Sequence, residues 1–122
     1  MNDGAYGIYV YSAPPTSGAT GNMKATISNN HFEGNYYGIR LGGSGSATTE
    51  KFTDVTIENN TMEGWGSSYN YGIYLAYINA SSTNRAKVRN NMISLNTTST
   101  TGTLYGIYPY HCANVDLHHN SI

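Results

Sequence analysis

An asparagine pair returns along this chain at a nearly constant interval. It stands in ISNNHF at 27–32, IENNTM at 57–62 and VRNNMI at 88–93, and LHHNSI at 117–122 keeps its second member. Counted from the aliphatic residue in front, Ile27, Ile57, Val88 and Leu117, the steps are 30, 31 and 29 residues. A second motif interleaves with the first: YGIYV from Tyr6, YGIRL from Tyr37, YGIYL from Tyr71 and YGIYP from Tyr105, in steps of 31, 34 and 34. Two independent markers sharing one period define an internal repeat, and a repeat of this length means a solenoid or a propeller.

Alternation inside the repeat separates the two. Ala25, Val55, Ala86 and Val115 stand two positions before the aliphatic anchors, and Phe32, Met62, Ile93 and Ile122 stand five after them, with a polar residue directly on each side of every anchor. In the other motif Ile8, Ile39, Ile73 and Ile107 alternate with Tyr9, Arg40, Tyr74 and Tyr108. Period two with one apolar face is a half-buried strand. Each repeat therefore predicts three short strands: at the anchor, just after the asparagines, and at Tyr-Gly-Ile. A propeller blade needs four antiparallel strands. Three strands per repeat instead predict one coil of a parallel β-helix, an all-β solenoid of just under four coils, with 1–122 as one segment of a longer solenoid.

In such a coil equivalent residues stack in columns. Asn30, Asn60, Asn91 and Asn120 are expected to form a structural ladder at one corner. There the amide bonds to its neighbours, and the residue occupies the left-handed backbone region, which asparagine tolerates. The preceding row, Asn29, Asn59, Asn90 and His119, is less strict. SAPPTSGATGN and GGSGSATTE read as surface loops on one edge. Residues 1–5 read as the tail of an earlier coil, and no cap is visible at either end.

I-x-N-N-x-(F/M/I) followed by Y-G-I-x-(L/V) resembles the right-handed parallel β-helix repeat of the pectate lyase superfamily. It resembles in particular the asparagine-ladder, Tyr-Gly-Ile version of large secreted or surface bacterial proteins. The resemblance implies a right-handed helix and an extracellular or cell-surface location. It does not imply one activity, because this fold carries lyases, hydrolases, epimerases, phage tailspikes and adhesins. Lyases of the superfamily hold Ca²⁺ with acidic ligands and use a basic Arg or Lys. Arg40 alone matches, with no tight aspartate group beside it. The hydrolases use clustered aspartates, whereas Asp3, Asp54 and Asp116 fall in different rows.

Composition narrows the function further. Six Lys and Arg against seven Asp and Glu leave a formal net charge of −1, which provides no field for nucleic acid or an anionic membrane. No apolar run approaches the length of a membrane span. The single cysteine, Cys112, excludes an internal disulfide and reads as a small, buried apolar residue. Twelve tyrosines are the distinctive resource. Tyr9, Arg40, Tyr74 and Tyr108, with Tyr11 and Tyr110 two residues on, form an outward row suited to stacking on sugar rings. Tyr6, Tyr37, Tyr71 and Tyr105 recur beside glycines and read as a structural row at a corner. Glu33 and Glu63 occupy equivalent positions and read as solvated surface, with Ca²⁺ as the alternative that adjacent carboxylates would hold; no cofactor is expected. Glu58 and Arg89 read as an exposed ion pair of little energetic weight. His111, His118 and His119 near Cys112 match no zinc spacing, and His118 and His119 are expected on opposite faces. The expected function is a structural or adhesive segment of a secreted or surface protein, contacting polysaccharide through its tyrosine face and lacking an active site of its own. The alternative is a fragment of a polysaccharide lyase or glycoside hydrolase. The expected partners are polysaccharide and either a second copy stacked end to end or further coils of the parent protein.

Overall fold

The computed structural model describes residues 6–12, 21–34, 36–43, 50–63, 69–96 and 101–122. Eleven strands and no helix run through them: β1 Tyr6–Ser12, β2 Gly21–Ser28, β3 His31–Glu33, β4 Tyr37–Gly43, β5 Glu50–Glu58, β6 Thr61–Glu63, β7 Tyr69–Ala76, β8 Ala86–Arg89, β9 Met92–Ser94, β10 Thr103–Tyr110 and β11 Val115–His118. Strands three places apart in sequence pair in parallel, giving the sheets β1-β4-β7-β10, β2-β5-β8-β11 and β3-β6-β9. A single parallel bridge, Met92 to Ser121, brings the fourth coil to the third sheet. Chain that returns to the same sheet after each circuit, with every pairing parallel, is a parallel β-helix, and crossovers between parallel strands take the right hand. The three strands per coil and their positions match the alternation in the sequence.

The register places like on like. Ile8, Ile39, Ile73 and Ile107 stack in the first sheet, Ile27, Ile57, Val88 and Leu117 in the second, and Phe32, Met62 and Ile93 in the third. Apart from Leu117, which is exposed, their inward side chains meet in one core, fully buried in the middle coils. Phe52, Ile78 and Ala80 join that core without having been marked by the repeat. Phe52 enters through a register shift, in which Met23 pairs with Phe52 and Lys24 with Asp54. Of the two expected surface loops, 13–20 and 44–49 lie outside the described residues, as does the 1–5 tail. The loop flanks Ser12, Gly21–Asn22, Gly42–Gly43 and Glu50 belong to strands.

The asparagine corner divides its labour differently from the expectation. Left-handed φ values occur at Asn29 (59°), Asn59 (56°), Asn90 (54°) and His119 (54°), not at the ladder residues. The first row turns the chain, a task that histidine also tolerates, so His119 is admissible there. The second row points inward, and Asn60 and Asn91 are each 1% exposed. The Asn30 amide donates to Asn60 Oδ1, Asn60 to Asn91 Oδ1 and Asn91 to Asn120 Oδ1, at 2.9–3.0 Å. The backbone N–H of each donates to the same oxygen at 3.0–3.1 Å. Only a side chain with both an amide donor and an acceptor does this, which explains why the second row admits no substitute.

Gly7, Gly38, Gly72 and Gly106 lie within strands β1, β4, β7 and β10, so the Tyr-Gly pair does not mark a corner as expected. The glycine makes room instead. A Cβ on Gly72 would stand 2.6 Å from the Gly106 carbonyl oxygen and 2.6 Å from Ile93 Cγ2.

Two outcomes follow from this packing. Asn60→Ala is expected to cost about 1–3 kcal/mol, whereas Asn59→Gly, which keeps the left-handed turn, and Asn96→Ala on the surface stay close to wild type. Equal melting temperatures for the three would remove the ladder from the account. Gly72→Ala is expected to cost about 1–3 kcal/mol through overpacking, read as an earlier midpoint in denaturant; an unmoved midpoint would mean that the coils can separate freely.

Candidate functional site

The first sheet positions the aromatic surface. Because Ile8, Ile39, Ile73 and Ile107 point inward, the next residues Tyr9, Arg40, Tyr74 and Tyr108 point outward, in register across four strands. Tyr9 and Tyr11 are 47% and 50% exposed, and their rings lie 6.2 Å apart. At the other end Tyr108 and Tyr110 are stacked at 6.2 Å, and Tyr110 is also exposed. Tyr74 bridges to Tyr108 at 5.4 Å. In the second outward row, by contrast, Gly42 and Ala76 stand between Tyr11 and Tyr110, so the aromatic surface is broad at both ends and narrow in the middle.

Tyr6, Tyr37, Tyr71 and Tyr105 form a stacked spine beside this face, with ring centroids at 5.0, 4.8 and 4.8 Å and planes within 13° of parallel. Tyr74 packs edge-on against Tyr37 and Tyr71. Burial pushes the Tyr37 hydroxyl up to about 12, against the pull of the Arg40 charge, so it is a neutral donor throughout the physiological range.

Arg40 is enclosed by the rings around it. Its guanidinium lies 5.2–5.8 Å from the ring centres of Tyr6, Tyr9, Tyr37 and Tyr74, and Nη1 donates to the Tyr6 hydroxyl at 3.1 Å. A cation over several aromatic faces is held by their quadrupoles, so the one basic residue in the row binds the tyrosines into a unit.

Tyr77 and His111 are additions that the sequence did not disclose. Strict alternation assigns them to the inner face. Both instead have left-handed backbones (φ 57° and 49°), and their rings stack at 5.3 Å beside Tyr110. The left-handed turn breaks the alternation and extends the aromatic surface around the end of the sheet.

On the third sheet, Glu33 and Glu63 pair in register, as their equivalent positions implied. His31 completes a cluster with them: its Nε2 lies 3.4 Å from Glu63 Oε1 and 3.7 Å from Glu33 Oε1. One ligand atom from each of the three falls within 4.8 Å of the others. His31 was legible in HFE, since residues two apart on a strand share a face. Ser94 continues the row in the next coil without a charge.

Among the described residues no such cluster forms at His111, Cys112, His118 and His119. His118 and His119 are both exposed and meet edge-on at 5.3 Å instead of facing apart, because the left-handed turn at His119 swings its ring round. Cys112 is half-buried against the core, its thiol near the carbonyls of Leu75 and Tyr110, and burial pushes its pKa up. Glu58 and Arg89 form the expected ion pair at 2.7 Å.

A family model described as "Periplasmic copper-binding protein (NosD)" matches residues 1–122. Searches of curated proteins and of solved structures gave no significant match. The parallel coils agree with that family assignment. The match spans the whole sequence, and the chain therefore belongs to the NosD family.

Proposed function

We propose that the chain is a β-helical binding segment of a periplasmic or cell-surface protein, and that its tyrosine face contacts polysaccharide. The observation that carries this reading is the outward aromatic surface on a rigid parallel sheet, where Tyr9, Tyr11 and Tyr110 are exposed and Tyr108 is half-buried among them. Tyrosine joins a flat apolar ring to a hydroxyl, which suits the apolar faces and hydroxyl rims of sugars. Tyr9 and Tyr108 are held against the spine by Tyr6 and Tyr105, and Tyr11 and Tyr110 pack on them in turn, so little side-chain freedom is lost on binding. Arg40 adds positive charge, yet its bond to Tyr6 and its ring contacts make it a brace for the face before it is a partner for a ligand.

The test is affinity electrophoresis against a panel of neutral and acidic polysaccharides. Tyr9→Ala with Tyr11→Ala is expected to weaken binding roughly tenfold or more, equivalent to about 1.4 kcal/mol, with the melting temperature kept. Tyr74→Ala is less suitable, because its ring braces Tyr37 and Tyr71. A wild-type chain that binds no member of the panel would leave the face purely structural.

A second reading is favoured by His31, Glu33 and Glu63 together with the copper-binding description of the family. Ca²⁺ takes six to eight oxygen ligands. This cluster offers one imidazole nitrogen and two carboxylates, a donor set that fits Cu²⁺ better. His31 would bind through Nε2, with Glu33 and Glu63 supplying negative charge and oxygen ligands. The bound metal would supply Lewis acidity or redox chemistry. Titration calorimetry with Cu²⁺ and with Ca²⁺ is the check: His31→Ala should abolish a Cu²⁺ isotherm without altering the fold, because His31 lies on the surface. An isotherm indifferent to that change would place the metal elsewhere.

A further inference from the structure

The three sheets divide the charge unequally. β1, β4, β7 and β10 hold a single charged residue among them, Arg40. The other two arginines are neutralised: Arg85 meets Asp116 and Arg89 meets Glu58, each at 2.7 Å. Arg40 has no carboxylate within ion-pair distance among the described residues. Its hydrogen-bond partner is the Tyr6 hydroxyl, at 3.1 Å, and a hydroxyl is a neutral acceptor. Nor do the neighbouring phenols supply a counter-charge: burial pushes the Tyr37 and Tyr74 hydroxyls up, against the pull of Arg40. The four rings therefore hold the cation in place without cancelling it.

Packing does not call for an arginine here. The register equivalents of Arg40 are Tyr9, Tyr74 and Tyr108, and a fourth tyrosine would continue the row at the same spacing. The guanidinium carries five N–H donors, of which one, on Nη1, has a hydrogen-bond acceptor among the described residues. Arg40 and Tyr74 are half-buried, and each lies in a coil with a described neighbour on both sides. Coils stack along the axis, whereas these side chains point away from it, so the position stays outward whatever precedes or follows.

Resting on the reading of this face as a polysaccharide surface, we propose that Arg40 makes it selective for acidic glycans, its guanidinium taking the carboxylate of a uronic acid residue. The carboxyl of such a sugar projects from the rim of the ring. A sugar lying on Tyr9 or Tyr74 thus places its carboxylate beside the aromatic ring, and Arg40 stands one strand spacing from each, about 4.8 Å. A planar guanidinium fixed in orientation matches a carboxylate with two parallel N–H bonds. The rings supply contact area for any sugar, and the charge discriminates between sugars.

The test compares alginate, polygalacturonate and hyaluronan, each with its carboxyl-reduced form, which keeps the backbone and loses the charge. Wild-type chain is expected to bind at least one polyuronate about tenfold or more tightly than its reduced form, the difference typical of one charge-assisted hydrogen bond, and the ratio should shrink as salt is added. Arg40→Gln should bring the ratio near one, whereas Arg40→Lys keeps a preference of the same sign; circular dichroism checks that both fold. Tyr9→Ala with Tyr11→Ala should weaken both forms alike and leave the ratio. A wild type that binds both forms equally overturns the proposal while leaving the face a sugar surface. A preference that survives Arg40→Gln overturns it too, as does binding of dextran sulfate with no polyuronate bound. A wild type that binds no glycan overturns both this proposal and the reading on which it rests.

Discussion

Parallel backbone pairing between successive coils is the constraint on which the rest of this molecule depends. It sets one spacing, about 4.8 Å, for everything that repeats. The tyrosine rings of the spine stack at 4.8–5.0 Å because the strands beneath them are that far apart. At that distance the asparagine amides bond directly to one another, and the glycine column leaves no room for a Cβ. A residue type that suits this spacing once suits it in every coil, which is the physical origin of the repeat.

The same spacing turns each outward position into a row, and rows are what this surface has to work with. A row of tyrosines becomes a continuous aromatic strip. One departure from the row, Arg40 among tyrosines, places a cation within reach of four rings at once. The His31, Glu33 and Glu63 cluster arises similarly, from two positions on one strand and one on the next. Membership of the NosD family and the parallel coils agree with each other. The proposed sugar-contacting face and the proposed metal site lie on two different sheets, so substitutions can test either without disturbing the other.

Stability is concentrated in the middle coils. Asn60 and Asn91 are buried and fully engaged, whereas Asn30 and Asn120 are half-buried. Likewise Ile39, Leu41, Ile73 and Leu75 are wholly enclosed, while Leu117 and Ile122 are open. In a one-dimensional stack each coil is stabilised by its neighbours, and the middle coils have a described neighbour on both sides.

Period and alternation along the sequence determined the strand positions, the inward residues, the asparagine ladder and the outward tyrosine row, because period two on a stacked coil fixes which face each residue occupies. They did not distinguish which asparagine of each pair turns the chain, since both types of task favour the same residue. That became clear only from the left-handed φ at Asn29, Asn59 and Asn90. Phe52 and Tyr77 were likewise hidden, one by a register shift and the other by a left-handed turn, each of which breaks the alternation. The enclosure of Arg40 and the approach of His31 to two glutamates needed the third dimension for a plainer reason. They join residues 34 and 32 positions apart, and only the closed coil makes such residues neighbours.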